Sequence, residues 1–206
     1  MIDLHVILAA GGTCLVGVAS PGPNFLAVSH RATTSASREA VAMASGIAIV
    51  NVLWSAVALF GLGEVAGRLP WARAAVAYAG AAYLIWFGAR LLVRSWRADP
   101  GAGRAPTGPG ARAALIEGLG TNLANPKSMM FYGSVFTGTV PAGTSGPTLL
   151  LVMAVVGLLA FAWYGSLALA LSRPTIASVF AAHRHTIERG CGSLLLALGL
   201  HQAFTG

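Results

Sequence analysis

The chain has 206 residues, of which 56% are hydrophobic and 9% charged, with a mean hydropathy of +0.72. A soluble domain carries about 25% charged residues, so this composition excludes a water-covered globule and makes a lipid bilayer the expected solvent. The net charge of +7 would suggest nucleic acid in a soluble protein, but the arginines stand between apolar runs, where they act as topology signals, and no nucleic-acid partner is expected.

A membrane helix needs about 20 mostly apolar residues, and six such runs follow one another. The first covers about 4–27. The acidic start MIDLH and an apolar stretch that continues past VAS read as a span rather than a cleaved leader. The second covers about 40–62 and the third about 70–93. A Gly-, Pro- and Arg-rich stretch, RSWRADPGAGRAPTGPGAR, then forms a linker. The fourth span covers about 114–137, the fifth about 147–171 and the sixth about 187–204. Cys14 and Cys191 both lie in apolar runs, which argues for buried thiols rather than a disulfide framework.

Six spans alternate the connecting loops between two sides. One side collects Arg31, Arg38, Arg90, Arg94, Arg97, Arg104, Arg112, Arg173, Arg184 and Arg189; the other collects Arg68 and Arg73. That asymmetry places the first side in the cytoplasm and both termini outside.

The expected architecture is an all-α integral membrane protein of six transmembrane helices, built as two inverted three-helix repeats with broken helices. The first repeat is 1–93, the cytoplasmic linker 94–113 and the second repeat 114–206. An odd number of spans per half turns the second half upside down. The first span of each half is interrupted, by SPGPN at 20–24 and by TNLANPK at 121–127. Paired interruptions in corresponding positions point to a transporter binding site.

Proline has no backbone N–H. In a continuous helix Pro21 would orphan the carbonyl of Gly17, Pro23 that of Ala19, and Pro126 that of Asn122. An orphan costs several kcal/mol in hydrocarbon, so such backbone must face protein, water or a ligand. Freed carbonyls suit an ammonium group, and the start of the following half-helix suits a carboxylate. Asn24, Asn122 and Asn125 add amides, and Lys127 adds a positive charge. Carbonyls together with positive donors suit a zwitterion such as an amino acid. The candidate substrate-binding residues are therefore Pro21, Gly22, Pro23, Asn24, Asn122, Asn125, Pro126 and Lys127. Taken singly, a proline in a membrane helix is more often a kink, and Lys127 has the alternatives of snorkelling to an interface or pairing with Glu117. Two matched breaks, each with asparagine, favour the site.

The stretches SPGPNFLAVSHRA, AYLIWFGARLL, TNLANPKSMMFYGSVF and RGCGSLLLALGLH resemble the LysE/RhtB family of bacterial amino-acid exporters, with the threonine/homoserine efflux branch looking nearest. The resemblance covers nearly the whole chain. It implies an inner-membrane secondary transporter that moves amino acids outward, with proton exchange as the expected drive. Relatives in that family often carry Asp after PGP, whereas this chain has Asn24, which cannot titrate.

Ionisable residues within spans are functional candidates by default. Glu117, one helical turn from the second break, and His201 are the proton-coupling candidates. Each has a plain alternative as an interfacial group, and Glu64 falls in a loop. His183 and His185 read as solvated charge in a basic loop. No carboxylate accompanies them at metal-ligand spacing, so neither a metal nor another cofactor is expected. Asn51, Trp54, Tyr132, Trp163 and Tyr164 are candidates to line the path. Gly46, Ala75, Ala79, Gly80, Gly157 and Gly165 allow close helix contact, which fits a compact bundle and a homodimer alike. A membrane-embedded enzyme would need a nucleophile–base pair or a metal cluster, and neither pattern is present. A channel would more usually show a charge ring or filter loop. Few intramembrane acids disfavour a lysine or arginine substrate, leaving small neutral amino acids or related metabolites.

Overall fold

The computed structural model describes residues 2–62 and 110–205, with isolated positions between 78 and 96. Most of the third expected span and of the linker, together with Glu64, Ala75, Ala79 and Gly80, lies outside the described residues.

Helix α1 (Leu4–Ala19) starts where Asp3 accepts a hydrogen bond from the Val6 N–H, and stops at Ser20. Pro21 explains the stop, because it has no N–H to continue the ladder. Helix α2 (Pro23–Thr34) begins with proline in its first turn, where the missing N–H costs nothing. The axis bends by 57° between them. Helix α3 (Ser37–Ala56) runs on into a wider π-helical turn, Val57–Leu62. Helix α4 (Ala111–Leu123) ends before Asn125, which caps α5 (Pro126–Thr139) by accepting from the Lys127 N–H at 3.0 Å. Helix α6 (Gly146–Leu171) has 26 residues, a length of about 39 Å at 1.5 Å per residue. Helix α7 (Pro174–Thr205) completes the described chain.

Among the described residues, two helical stretches are each long and apolar enough to cross a membrane, Ser37–Gly61 and Gly146–Leu171, and α1 with α2 qualifies as one broken span. The outward face of α6 carries Leu150, Leu158 and Leu169, exposed by 61%, 69% and 55%, while Val152, Val156, Ala160 and Ala168 are buried. Large apolar residues outside and smaller ones inside suit lipid, because hydrocarbon does not penalise an exposed leucine and close helix packing favours small side chains.

The interruptions fall where expected, but one end differs. The sequence places the start of the sixth span at about 187, whereas α7 begins at Pro174. No Gly or Pro separates Thr175 from Arg189, so nothing ends the helix there. His183 and His185 therefore ride on a helix rather than in a loop, and the exposed His183 ring bonds the Val179 carbonyl one turn back.

Helix α3 is central and packs most extensively on α4 and α6. Glycine makes the α3–α4 contact possible. A Cβ on Gly118 would lie 2.2 Å from the Met43 carbonyl oxygen, and one on Gly46 would lie 2.3 Å from that of Leu115. A Cβ on Gly157 would lie 2.8 Å from a methyl group of the Val52 side chain, whereas Gly165 has no such close neighbour. On the other side, Gly88 faces the Gly192 carbonyl of α7, and Gly199 faces Ala81 and Ile85.

Candidate substrate site at the two chain breaks

The two interruptions, about a hundred residues apart in sequence, meet in space. Lys127, in the first turn of α5 and 5% exposed, reaches into the α1–α2 break. Its ammonium donates to the Gly17 carbonyl at 3.1 Å and the Ser20 carbonyl at 2.8 Å, and closely approaches the Ser20 hydroxyl. Ser20 Oγ itself donates to the Gly17 carbonyl at 2.7 Å. The carbonyl that Pro21 orphans is thus taken up inside the protein. This corrects one expectation: it is the chain's own lysine, not a free site for a substrate ammonium, that occupies the Gly17 and Ser20 carbonyls. Lys127 is buried at the break, and Glu117 pairs with Arg31. Bonding to carbonyl dipoles makes a buried cation tolerable.

The carbonyl of Asn122, orphaned by Pro126, accepts from the Asn125 N–H and from the Trp54 indole N–H, both at 3.2 Å. Trp54 therefore serves as a cap across the helix interface. The Asn122 side chain is fully buried. Its Nδ2 donates to the Ile47 carbonyl at 2.7 Å and to Asn51 Oδ1 at 2.9 Å, and its Oδ1 accepts from Asn24 Nδ2 at 2.9 Å. Asn24 Nδ2 also lies 3.4 Å from Ser128 Oγ, which accepts from Asn125 Nδ2 at 3.2 Å. Three asparagines from α2, α3 and α4 thus form one ladder.

A small cavity opens between the ladder and the lysine. Gly22, Asn24, Asn51, Asn125 and Lys127 form its polar side, and Phe131, Tyr132 and Tyr164 its aromatic side. Its free space of about 10 Å³ is room for about one water, so anything larger enters only if the walls part. Tyr132 is held edge-on by Phe131 and Phe136, with ring centroids at 5.5 and 5.3 Å. Its hydroxyl lies 3.6 Å from the sulfur of Cys14, a free and buried thiol. Phe131 can sit on α1 because position 17 is glycine: a Cβ there would lie 2.3 Å from the ring.

Of the expected site residues, Gly22, Asn24, Asn125 and Lys127 line the cavity. Pro21, Pro23 and Pro126 shape the backbone around it, and Asn122 stands behind its wall. Glu117 and His201 are not among the lining residues. Glu117 makes a short ion pair with Arg31, which also lies 4.0 Å from Glu39. His201 is exposed on α7. Trp163 is half-buried against the core. Sequence reasoning named the Gly17 carbonyl but missed Ser20, Glu39, Ser128 and Phe131. Ser20 and Ser128 each flank a proline break, which is the signal that would have found them.

No solved structure matches this chain. It is 28% identical over 189 residues to the threonine efflux protein of Salmonella typhi, covering 91% of this chain and 92% of that protein. It is 27% identical to the threonine efflux protein of Escherichia coli K12, covering 96% and 97%. The leucine efflux protein of Klebsiella pneumoniae is 29% identical over 66% of this chain and 65% of its own length. The family model for LysE type translocators matches residues 15–206, and with paired chain breaks meeting around a buried lysine inside an apolar helical bundle, the chain belongs to the LysE family.

Proposed function

We propose that the protein is a secondary transporter that exports small neutral amino acids, of the threonine or homoserine type, across the bacterial inner membrane. Six spans in two inverted halves, 1–93 and 114–206 joined by the linker 94–113, rock around the breaks in alternating access. Outward movement is exchanged for protons. The observation that carries this reading is the bond from Lys127 in one break to Gly17 and Ser20 in the other. A contact between the two breaks is what a hinge-centred site requires, and a mere kink would not need it. The names of the relatives support amino-acid efflux as the class. The cavity wall includes no carboxylate among the described residues, which favours neutral over cationic substrates.

The test is export of preloaded, labelled amino acids from proteoliposomes, with and without a proton gradient, for the parent, Lys127→Ala and Glu117→Gln. Gradient-dependent loss of small neutral amino acids, abolished in Lys127→Ala, is expected. Movement of no amino acid by the parent overturns the proposal, and export unchanged in Lys127→Ala removes the lysine from the site. If Glu117→Gln still exports but no longer responds to the gradient, Glu117 carries the coupling.

A further inference from the structure

The asparagine ladder has a direction, and the backbone sets it. The Ile47 carbonyl can only accept, so the Asn122 side-chain atom 2.7 Å from it must be Nδ2. That turns Asn122 Oδ1 towards Asn24, whose Nδ2 must then donate to it. It also directs the second Asn122 N–H to Asn51, whose Oδ1 must accept. Each outer amide is left with one atom unused by the protein: the acceptor Oδ1 of Asn24 and the donor Nδ2 of Asn51. Both residues line the cavity, and they are only 3% and 1% exposed. Leaving a buried polar atom unbonded is unfavourable, and these two are of opposite kind.

We infer that these two atoms are the poles of the substrate site: Asn24 Oδ1 takes the α-ammonium and Asn51 Nδ2 the α-carboxylate of a neutral amino acid, with Asn122 as the positioning residue that holds both amides in that sense. This deepens the functional reading above and rests on it. It also resolves where a substrate ammonium goes once Lys127 has occupied the Gly17 and Ser20 carbonyls. Tyr164 and Tyr132 remain on the aromatic side of the cavity for the substrate's side chain.

The test uses the full-length protein in proteoliposomes. Transport of labelled threonine is competed with threoninol, which keeps the amine and lacks the carboxylate, and with 2,3-dihydroxybutyrate, which keeps the carboxylate and lacks the amine. Asn51→Ala is expected to weaken threonine and dihydroxybutyrate by roughly 10- to 100-fold, the range for one hydrogen bond to a charged group, while the inhibition constant of threoninol stays within about 2-fold. Asn24→Ala is expected to do the converse, sparing dihydroxybutyrate. Asn51→Ser and Asn24→Ser repeat the comparison if either alanine variant does not reach the membrane. Equal losses for both analogues in each variant, exchanged roles, or a parent that moves threonine but is inhibited by neither analogue would overturn the assignment. A parent that moves no amino acid at all fails the functional proposal itself, which is a separate result.

Discussion

Gly118→Ala should loosen the helix pair that carries the asparagine ladder. The new Cβ would stand 2.2 Å from the Met43 carbonyl oxygen, against a normal C···O contact of about 3.3 Å. The obstacle is backbone, so α3 and α4 must part by about 1 Å. Asn122 lies one turn further along α4 and bonds α3 at 2.7 and 2.9 Å. A 1 Å separation stretches both bonds beyond about 3.5 Å, where they no longer count as hydrogen bonds. Overpacking costs about 1–3 kcal/mol, and two lost hydrogen bonds cost about 1 kcal/mol each. The helix gains about 1 kcal/mol from replacing glycine. The net loss is about 2–4 kcal/mol, or a fall of roughly 5–15 °C in Tm for a chain of this size. Gly120→Ala is the control: it lies on the same helix, and a methyl group there would meet nothing within 4 Å, so it should keep or slightly raise Tm. The assay is thermal unfolding of purified protein in detergent, followed by monodisperse recovery. Equal Tm values for Gly118→Ala and Gly120→Ala would refute the close-contact argument.

Asn122→Asp is nearly isosteric but turns an acceptor towards the Ile47 carbonyl and Asn51 Oδ1, so it should cost more stability than Asn122→Ser, by about 1–3 kcal/mol; denaturation of the two variants side by side decides this. Lys127→Met removes the donor contacts to Gly17 and Ser20 and one buried charge. Loss of the contacts and relief of desolvation oppose each other, so Tm should move by only a few degrees while export falls to background, measured on matched membrane levels. Gly17→Ala pushes the Phe131 ring from its seat, 2.3 Å from the new Cβ, towards the cavity it lines. KM should rise about tenfold, equivalent to about 1.4 kcal/mol, and Phe131→Leu in the same chain should recover most of it.

Part of this architecture was legible because membrane insertion depends on local composition. Apolar runs and proline positions are properties of short windows, so the interruptions at 20–24 and 121–127 and the limits of α6 could be read directly. The start of α7 was missed because hydropathy marks where lipid begins, not where a helix begins. Hydrogen bonding carries a helix through polar residues such as His183 and His185 as readily as through leucine. Glu39 was missed because a glutamate at the start of a helix looks like surface, until Arg31 from α2 is seen to cover it.

The sequence by itself determined that the chain lives in lipid, that two segments break, and that asparagines and a lysine stand at those breaks. Only the tertiary structure decided what those groups bond. Lys127 bonds the carbonyls of the first break, and Asn122 bonds Asn24, Asn51 and the Ile47 carbonyl. The physical reason is that hydrogen-bond direction belongs to pairs of atoms brought together by packing. An amide can present either end until a neighbour that can only accept, here a backbone carbonyl from another helix, fixes which end it must show.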